Sequence, residues 1–458
     1  MVRRHRPRAK RSVRLAVAAL LAAIAAIIVL IVYARQSQSS DRVKIMAVLA
    51  EAERQVAAIR TALEESRKNL PPGSSSAPAF LTYKIENRML EKVAQGFIDN
   101  DGTIPQSALD ELGMAMEPFR PGNRLTPFLM SIDPAANTPE QVNAKFSEYL
   151  LTDKTLEEIE KGVENGLYAE LSMPTPQHAQ RMETYPTVVF LGARAIAEAK
   201  AGDLEKAVNT CVCLYRLGDL IGSNRLCQGI MMKAQINADT DKVVCRMADM
   251  AALSVEDQER LTAEIGKRLS WTPLMESFRF TAAFMESGQL WGRPYRDPLD
   301  AFFRGRYGRG AMQLAEAMIR LLETPSADTP RRMAELPDTV GRRRRDHPFI
   351  WFAFDAYNLH ARDITRAKAM YLGFILKAWK RGHGSYPASL DELEPKPNPD
   401  MLNDALGITP LDYETTPEGG FTISVIGQAI QYGSGYGKGM PFLARSAGKR
   451  QILWESRN

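Results

Sequence analysis

Apolar positions at Ile45, Leu49, Ala52, Val56, Ile59 and Leu63 recur at alternating spacings of four and three, the seam of a long helix that ends before Pro71-Pro72-Gly73-Ser74-Ser75-Ser76. About three heptads suit either a coiled-coil stalk or a helix packed on its own domain. From Phe80 to about Leu322 the helical period continues, with breaks at Pro105, Pro118, Pro134, Pro174-Thr175-Pro176, Gly202-Asp203, Gly222-Ser223, Pro273 and Pro294. That pattern predicts a helical bundle or array. Helical spacing returns at Ile364, Tyr371, Phe374, Ile375 and Ala378 and stops at Gly382. Phe421, Ile423 and Val425 then alternate as a half-buried strand, and Arg450 to Ser456 offers another. The expected fold is mainly α, with a small C-terminal α+β unit carrying a short antiparallel sheet.

One stretch is apolar on every face. Leu15 to Ala34, "LAVAALLAAIAAIIVLIVYA", carries no charge and is long enough, at about 1.5 Å per residue, to cross about 30 Å of hydrocarbon. Arg3, Arg4, Arg6, Arg8, Lys10, Arg11 and Arg14 all precede it, so the positive-inside rule keeps residues 1–14 cytoplasmic and sends residues 35–458 outward. A cleaved signal peptide competes, because Val32-Tyr33-Ala34 ends in a small residue; an apolar core of about 7–15 residues is typical of signal peptides, and the greater length here favours an uncleaved signal-anchor.

The expected order is therefore a cytoplasmic basic tail (1–14), a transmembrane signal-anchor in the inner membrane (15–34) and a juxtamembrane helix (35–70). A helical domain (80–330) and a long helix with a small sheet (346–458) follow. A chain of 458 residues exceeds what one core usually serves. The expected partners are the membrane, through residues 15–34, and proteins of the envelope.

Charge narrows the function further. Without the seven N-terminal cations, 52 of the 59 Lys and Arg remain against 54 Asp and Glu, so the body is near neutral. A nucleic-acid partner requires a dense cationic surface and is not expected. The chain does turn basic between Trp291 and Asp346, at "RGRYGRG" (304–310), Arg331-Arg332 and Arg342 to Arg345. A solvated hinge fits this run. Because Phe349, Trp351, Phe352, Phe354 and Tyr357 follow directly, a surface touching anionic lipid fits as well, although such aromatics more often form core.

Cys211, Cys213, Cys227 and Cys245 lie within 35 residues. The i, i+2 spacing of the first two separates them on a helix and spoils a joint metal site. A turn near Gly218 to Asn224 would allow a Cys213–Cys227 disulfide; buried thiols acting as small apolar side chains are the alternative.

No catalytic, cofactor-binding or metal-binding residues are assigned. "DNDGTI" (99–104) has the middle of a calcium loop, but Phe97 and Ala108 occupy its first and last ligand positions, which leaves an Asx-type turn. "GSGYGKG" (433–439) lacks the first glycine and the closing Ser/Thr of a phosphate-binding loop. His5, His178, His347, His360 and His383 are scattered, with no His pair flanking a glutamate and no G-x-S-x-G elbow.

Two stretches resemble known families. "ARAIAEAKAGDLEKAVNTCVCLYRLG" (193–218) resembles one helix-turn-helix of a tetratricopeptide repeat, with "ADTDKVV" a faint echo thirty-six residues on; one hairpin is not an array. In the last hundred residues, Tyr386-Pro387, Leu390, Leu393, Pro395, Asp404, Gly407, Pro410-Leu411, Tyr413, Gly420 and Ser424 follow the pattern of the major pseudopilin of type II secretion systems. The resemblance implies a helix followed by a small antiparallel sheet. Ala405 stands where proline is expected, no acid follows in the tail, and no prepilin leader is present, so calcium binding and filament assembly do not carry over. Most of the chain is also similar to uncharacterised bacterial proteins with one N-terminal span, a helical middle containing "AKAGDLEKA" (199–207) and this same ending. These features together point to an interaction or scaffolding role; the rivals are an envelope hydrolase with dispersed residues and a pseudopilin-like subunit of an export machine.

Overall fold

The computed structural model describes residues 43–62, 64–65, 86–110, 137–166, 168, 185–286, 311–339, 348–425, 428–432, 441–445 and 451–456. The expected span at 15–34, its basic tail, "RGRYGRG", Arg342 to Arg345 and "GSGYGKG" lie outside these residues. Among the described residues no helix is long and apolar enough to cross a membrane.

The chain is mainly helical and closes with a small three-stranded antiparallel sheet. The helices are α1 (43–62), α2 (Glu86–Asp99), α3 (Pro139–Thr152), α4 (Lys154–Glu164), α5 (Tyr185–Lys200) and α6 (Leu204–Gly222). Then come α7 (Cys227–Met250), α8 (Val255–Gly266), α9 (Thr272–Glu286), α10 (Ala311–Glu323), α11 (Thr329–Thr339) and α12 (Pro348–His383). The strands are β1 (Asp412–Thr415), β2 (Phe421–Val425), β3 (Gln428–Tyr432), β4 (Pro441–Arg445) and β5 (Gln451–Ser456). Strand order is β1-β2-β5, and β3 and β4 form a separate antiparallel pair.

Local chemistry sets the helix ends. Thr138 starts α3 with a capping box, its hydroxyl accepting from the Gln141 amide while the Gln141 side chain accepts from the Thr138 amide. Asp203 caps α6 by accepting from the Lys206 amide, and Gly202 supplies the φ of +86° that reverses the chain. The hairpin expected from "AGDLEKA" is thus formed by α5 and α6. Its faint echo is not a second hairpin: "ADTDKVV" lies inside the unbroken helix α7, which has no glycine or proline there to turn it. "DNDGTI" closes α2 as a Schellman turn, with the Gly102 amide donating to Phe97 O (2.8 Å) and Asp101 at φ +53°.

Two hydrophobic clusters result. The first gathers α2 to α8, the C-terminal half of α12 and the sheet; its largest members include Phe97, Phe146, Phe190, Tyr215, Phe421 and Trp454. The second gathers α1, the start of α7, α9, α10, α11 and the N-terminal part of α12. Helix α12, about 54 Å long by its 36 residues, contributes to both. Phe349, Phe354 and Tyr357 are buried in the second cluster and Phe352 packs against it, so these aromatics are core and not a lipid-facing surface.

Helix α1 is docked on the body. Ala52 is buried, with Ile45, Val48 and Leu49 packed on the second cluster. Gln55 donates to Ser223 O (2.9 Å), and Glu51 pairs with Arg225 (3.4 Å). The heptad seam therefore faces the protein's own domain.

The four cysteines are buried and free. Cys213 precedes the end of α6 by nine residues, about 13 Å of helix, whereas Cys227 opens α7, so the two sit at different heights and in different clusters. Burial pushes the Cys227 thiol up to about 11 and the other three still higher.

Candidate functional site

At its C-terminal end α12 carries Lys377, Lys380 and Arg381, spaced i, i+3, i+4 and therefore on one face. The helix stops because Gly384 takes φ +81° and donates its amide to Lys380 O (2.7 Å), an αL cap; His383 stacks on Trp379. Beside this end, α7 also terminates, at Met250, and the chain turns through Ala251 to Leu253 into α8. The space between is a cleft of about 440 Å³, lined by Asp249, Met250, Leu253, Gln258, Phe374, Lys377, Lys380, Arg381 and Tyr386 among others.

Its floor is apolar: Phe374 and Leu253 are buried core residues. Its wall is one polar relay. Lys377 Nζ donates to Asp249 Oδ1 (2.6 Å) and to Ala248 O (2.9 Å), while Ser456 Oγ donates to the same Asp249 oxygen (2.9 Å). The relay ties α12, the end of α7 and β5 together and gives the Asp249 carboxylate a counter-charge in Lys377. At the rim, Arg381 donates to Leu253 O (2.6 Å) and to Gln258 Oε1 (3.0 Å), and Lys380 Nζ lies 4.6 Å from the centre of the Tyr386 ring.

Of the pseudopilin-like residues, Tyr386 stands on the cleft lining. Tyr386 meets Phe421 edge to face at 4.9 Å, Pro387 and Leu393 are buried, and Tyr413 donates its hydroxyl to Pro387 O (2.7 Å). Leu390 opens a 3-10 turn and is half-buried, so the stronger anchor of the pair is Leu393. Asp404 Oδ1 accepts from the amides of Leu406 and Ile408, and Lys368 Nζ donates to Asp404 O. Ala405, where the pattern expects proline, uses its amide to donate to Thr365 Oγ1 (3.0 Å), a bond proline could not make.

A second polar cluster is sealed inside the protein. Arg268 donates to both oxygens of Asp241 (2.7 and 2.8 Å) and to Asp363 Oδ1 (2.5 Å). Tyr215 donates to Asp241 and Asn237 to Asp363. The three charged side chains are only 1%, 4% and 1% exposed in the order Arg268, Asp241, Asp363, which denies them a solvent-borne ligand. Burial holds the Tyr215 hydroxyl well above its ordinary value, reinforced by Asp241. For Arg268 burial opposes the charge, but the two aspartates outweigh it and keep the guanidinium protonated. His360 beside it donates Nε2–H to Ser270 O (2.8 Å), and burial lowers its pKa. The cluster fastens α6, α7, α12 and the segment after α8 to one another.

Among the described residues no three His, Cys, Asp or Glu side chains converge to hold a metal. Asp249, Lys377, Lys380 and Arg381 are not among the residues that the sequence singles out; the basic face at the end of an apolar helix is their one local signal. Comparison with protein-family models, with curated proteins and with solved structures finds no match.

Proposed function

We propose that this protein is a membrane-tethered body on the outer side of the membrane that docks a protein partner in the cleft between α12, α7 and the sheet. One observation carries the reading: a recess with an apolar floor and cationic rim stands at the junction of both helix ends and β5, where the relay through Asp249 fixes its walls. Small sites of this kind, largely apolar with a few placed polar groups, are the usual binding recesses of proteins. Docking of α1 on the second cluster supports the tether, since the segment that follows residues 15–34 in the sequence is then held against the body by its own contacts. The helix-on-sheet ending supports a structural use of the pseudopilin-like pattern, with the first part of α12 already buried in its own domain.

The tether has its own test. A reporter active only outside the cytoplasm, fused after Asn458, is expected to be active, and the intact chain to stay in membranes washed with alkaline carbonate. Reporter activity confined to the cytoplasm would overturn the orientation, and release of a body lacking residues 1–34 would overturn the anchor.

A further inference from the structure

We infer that Glu160, Thr210 and Glu198 share one proton in a directed chain, from the Glu160 acid to the Thr210 hydroxyl to the Glu198 carboxylate, and that this proton latches α4 onto α5 and α6. Its loss as pH rises loosens α4.

The count of hydrogens comes first. Thr210 Oγ1 lies 2.6 Å from Glu160 Oε1 and 3.0 Å from Glu198 Oε2, both within hydrogen-bond distance. A hydroxyl carries one hydrogen and an ionised carboxylate none, so two ionised glutamates would leave one of these contacts as bare oxygen against oxygen. A proton on one carboxyl group turns both contacts into hydrogen bonds. Arg194 decides which group holds it. Its Nε donates to Glu198 Oε1 (2.9 Å), whereas its Nη2 stands 3.8 Å from Glu160 Oε2, too far for a hydrogen bond. Glu198 is therefore the charged partner of the guanidinium, and Glu160 is the acid that keeps its proton.

Three helices enclose the chain. Ile159 and Val163 bury α4, Arg194 and Glu198 stand one turn apart on the buried helix α5, and Thr210 is buried on α6 beside Cys211. Side-chain exposure is 3% for Glu198, 9% for Arg194 and 18% for Glu160, so Glu160 is the member that solvent reaches. Burial pushes the Glu160 carboxyl up, opposed by Thr210 and Arg194 and reinforced by Glu198 and by Glu164 on its own helix. The thiols of Cys211 and Cys213 face it from α6 and stay uncharged, because burial pushes both up. Glu157 and Lys161 pair with each other at the surface of α4 (2.6 Å), and Lys206 on α6 pairs with Asp203.

The direction of the pH effect follows. A carboxyl whose folded value is raised contributes stability that is complete in acid and lost as pH rises through that folded value. A second negative charge then lies one hydroxyl away from Glu198. Helix α4, at 11 residues the shortest of the three, is the one expected to yield.

The experiment uses the full-length chain in a maltoside detergent, which has no ester groups to obscure the carboxylic C=O region in the infrared. At pH 6, where exposed glutamates are ionised, a protonated carboxyl is expected in the parent and is lost in Glu160→Gln. Hydrogen exchange, corrected for the intrinsic effect of pH, is expected to give α4 equal protection in parent and variant at pH 6. At pH 9 the parent should be protected about tenfold or more weakly than the variant, because glutamine keeps the shape of the neutral acid and cannot lose a proton. Packing alone would give no such split. No carboxyl signal at pH 6, a signal that Glu160→Gln leaves in place, or equal protection at pH 9 would each overturn the inference. So would a glutamine variant that is loosened or unfolded at pH 6, since it would show that the site needs an ionised acid.

Discussion

Replacing Arg268 with leucine is expected to cost the fold about 3–5 kcal/mol, because it leaves a buried aspartate pair without its counter-charge. Asp241 and Asp363 face each other across that guanidinium from α7 and α12, and neither has access to water for compensation. Tyr215→Phe should cost far less, about 1 kcal/mol, since it removes a single hydrogen bond and leaves the ion pairs in place. Urea denaturation of both variants, compared at equal slope, measures the difference. An Arg268→Leu midpoint within experimental error of the parent would mean that the cluster does not hold the helices together.

The second large effect is expected at Gly373. A Cβ placed there would lie 2.0 Å from Cε3 of Trp454, whose ring is gripped between Phe374 and Phe421 at 5.5 and 5.7 Å. The indole cannot step aside without leaving the core, so Gly373→Ala should force β5 off α12. Trp454→Ala removes the same contact from the other side, at about 3–5 kcal/mol. Limited proteolysis is expected to cut residues 384–458 in either variant while residues 185–286 resist. Adding Trp454→Phe to Gly373→Ala should restore part of the resistance, because the smaller ring relieves the collision, and the pair then couples in a double-mutant cycle. A Gly373→Ala chain that is cut like the parent would show that the sheet does not lean on the helix there.

What was legible in the sequence was local. The seam at Ile45 to Ile59, the Gly202-Asp203 turn, the helix ending near Gly382 and the strand at Phe421 to Val425 each announce themselves within a few residues, because a period or a cap needs no distant partner. The site did not announce itself. Asp249, Lys377 and Ser456 are brought together over separations of 128 and 207 residues, and Tyr215, Asn237, Asp241, Arg268 and Asp363 come from four separate segments. No window of sequence contains either set. Leu390 and Leu393 both fit the pseudopilin-like pattern, and the 3-10 turn that Leu390 opens leaves Leu393 as the buried one. Cys213 and Cys227 looked like neighbours across a turn, and the depth of Cys213 along α6 separates them.

The central claim is that a partner docks in the cleft, and site-specific photo-crosslinking in living cells tests it most directly. A photoreactive residue at Gln258, on the cleft lining, is compared with one at Glu205, exposed on α6 and outside that lining. The account predicts one discrete protein adduct from position 258, absent from position 205 and lost when Arg381→Glu is added. The same adducts from both positions, or an adduct at 258 that ignores the charge reversal, would contradict it.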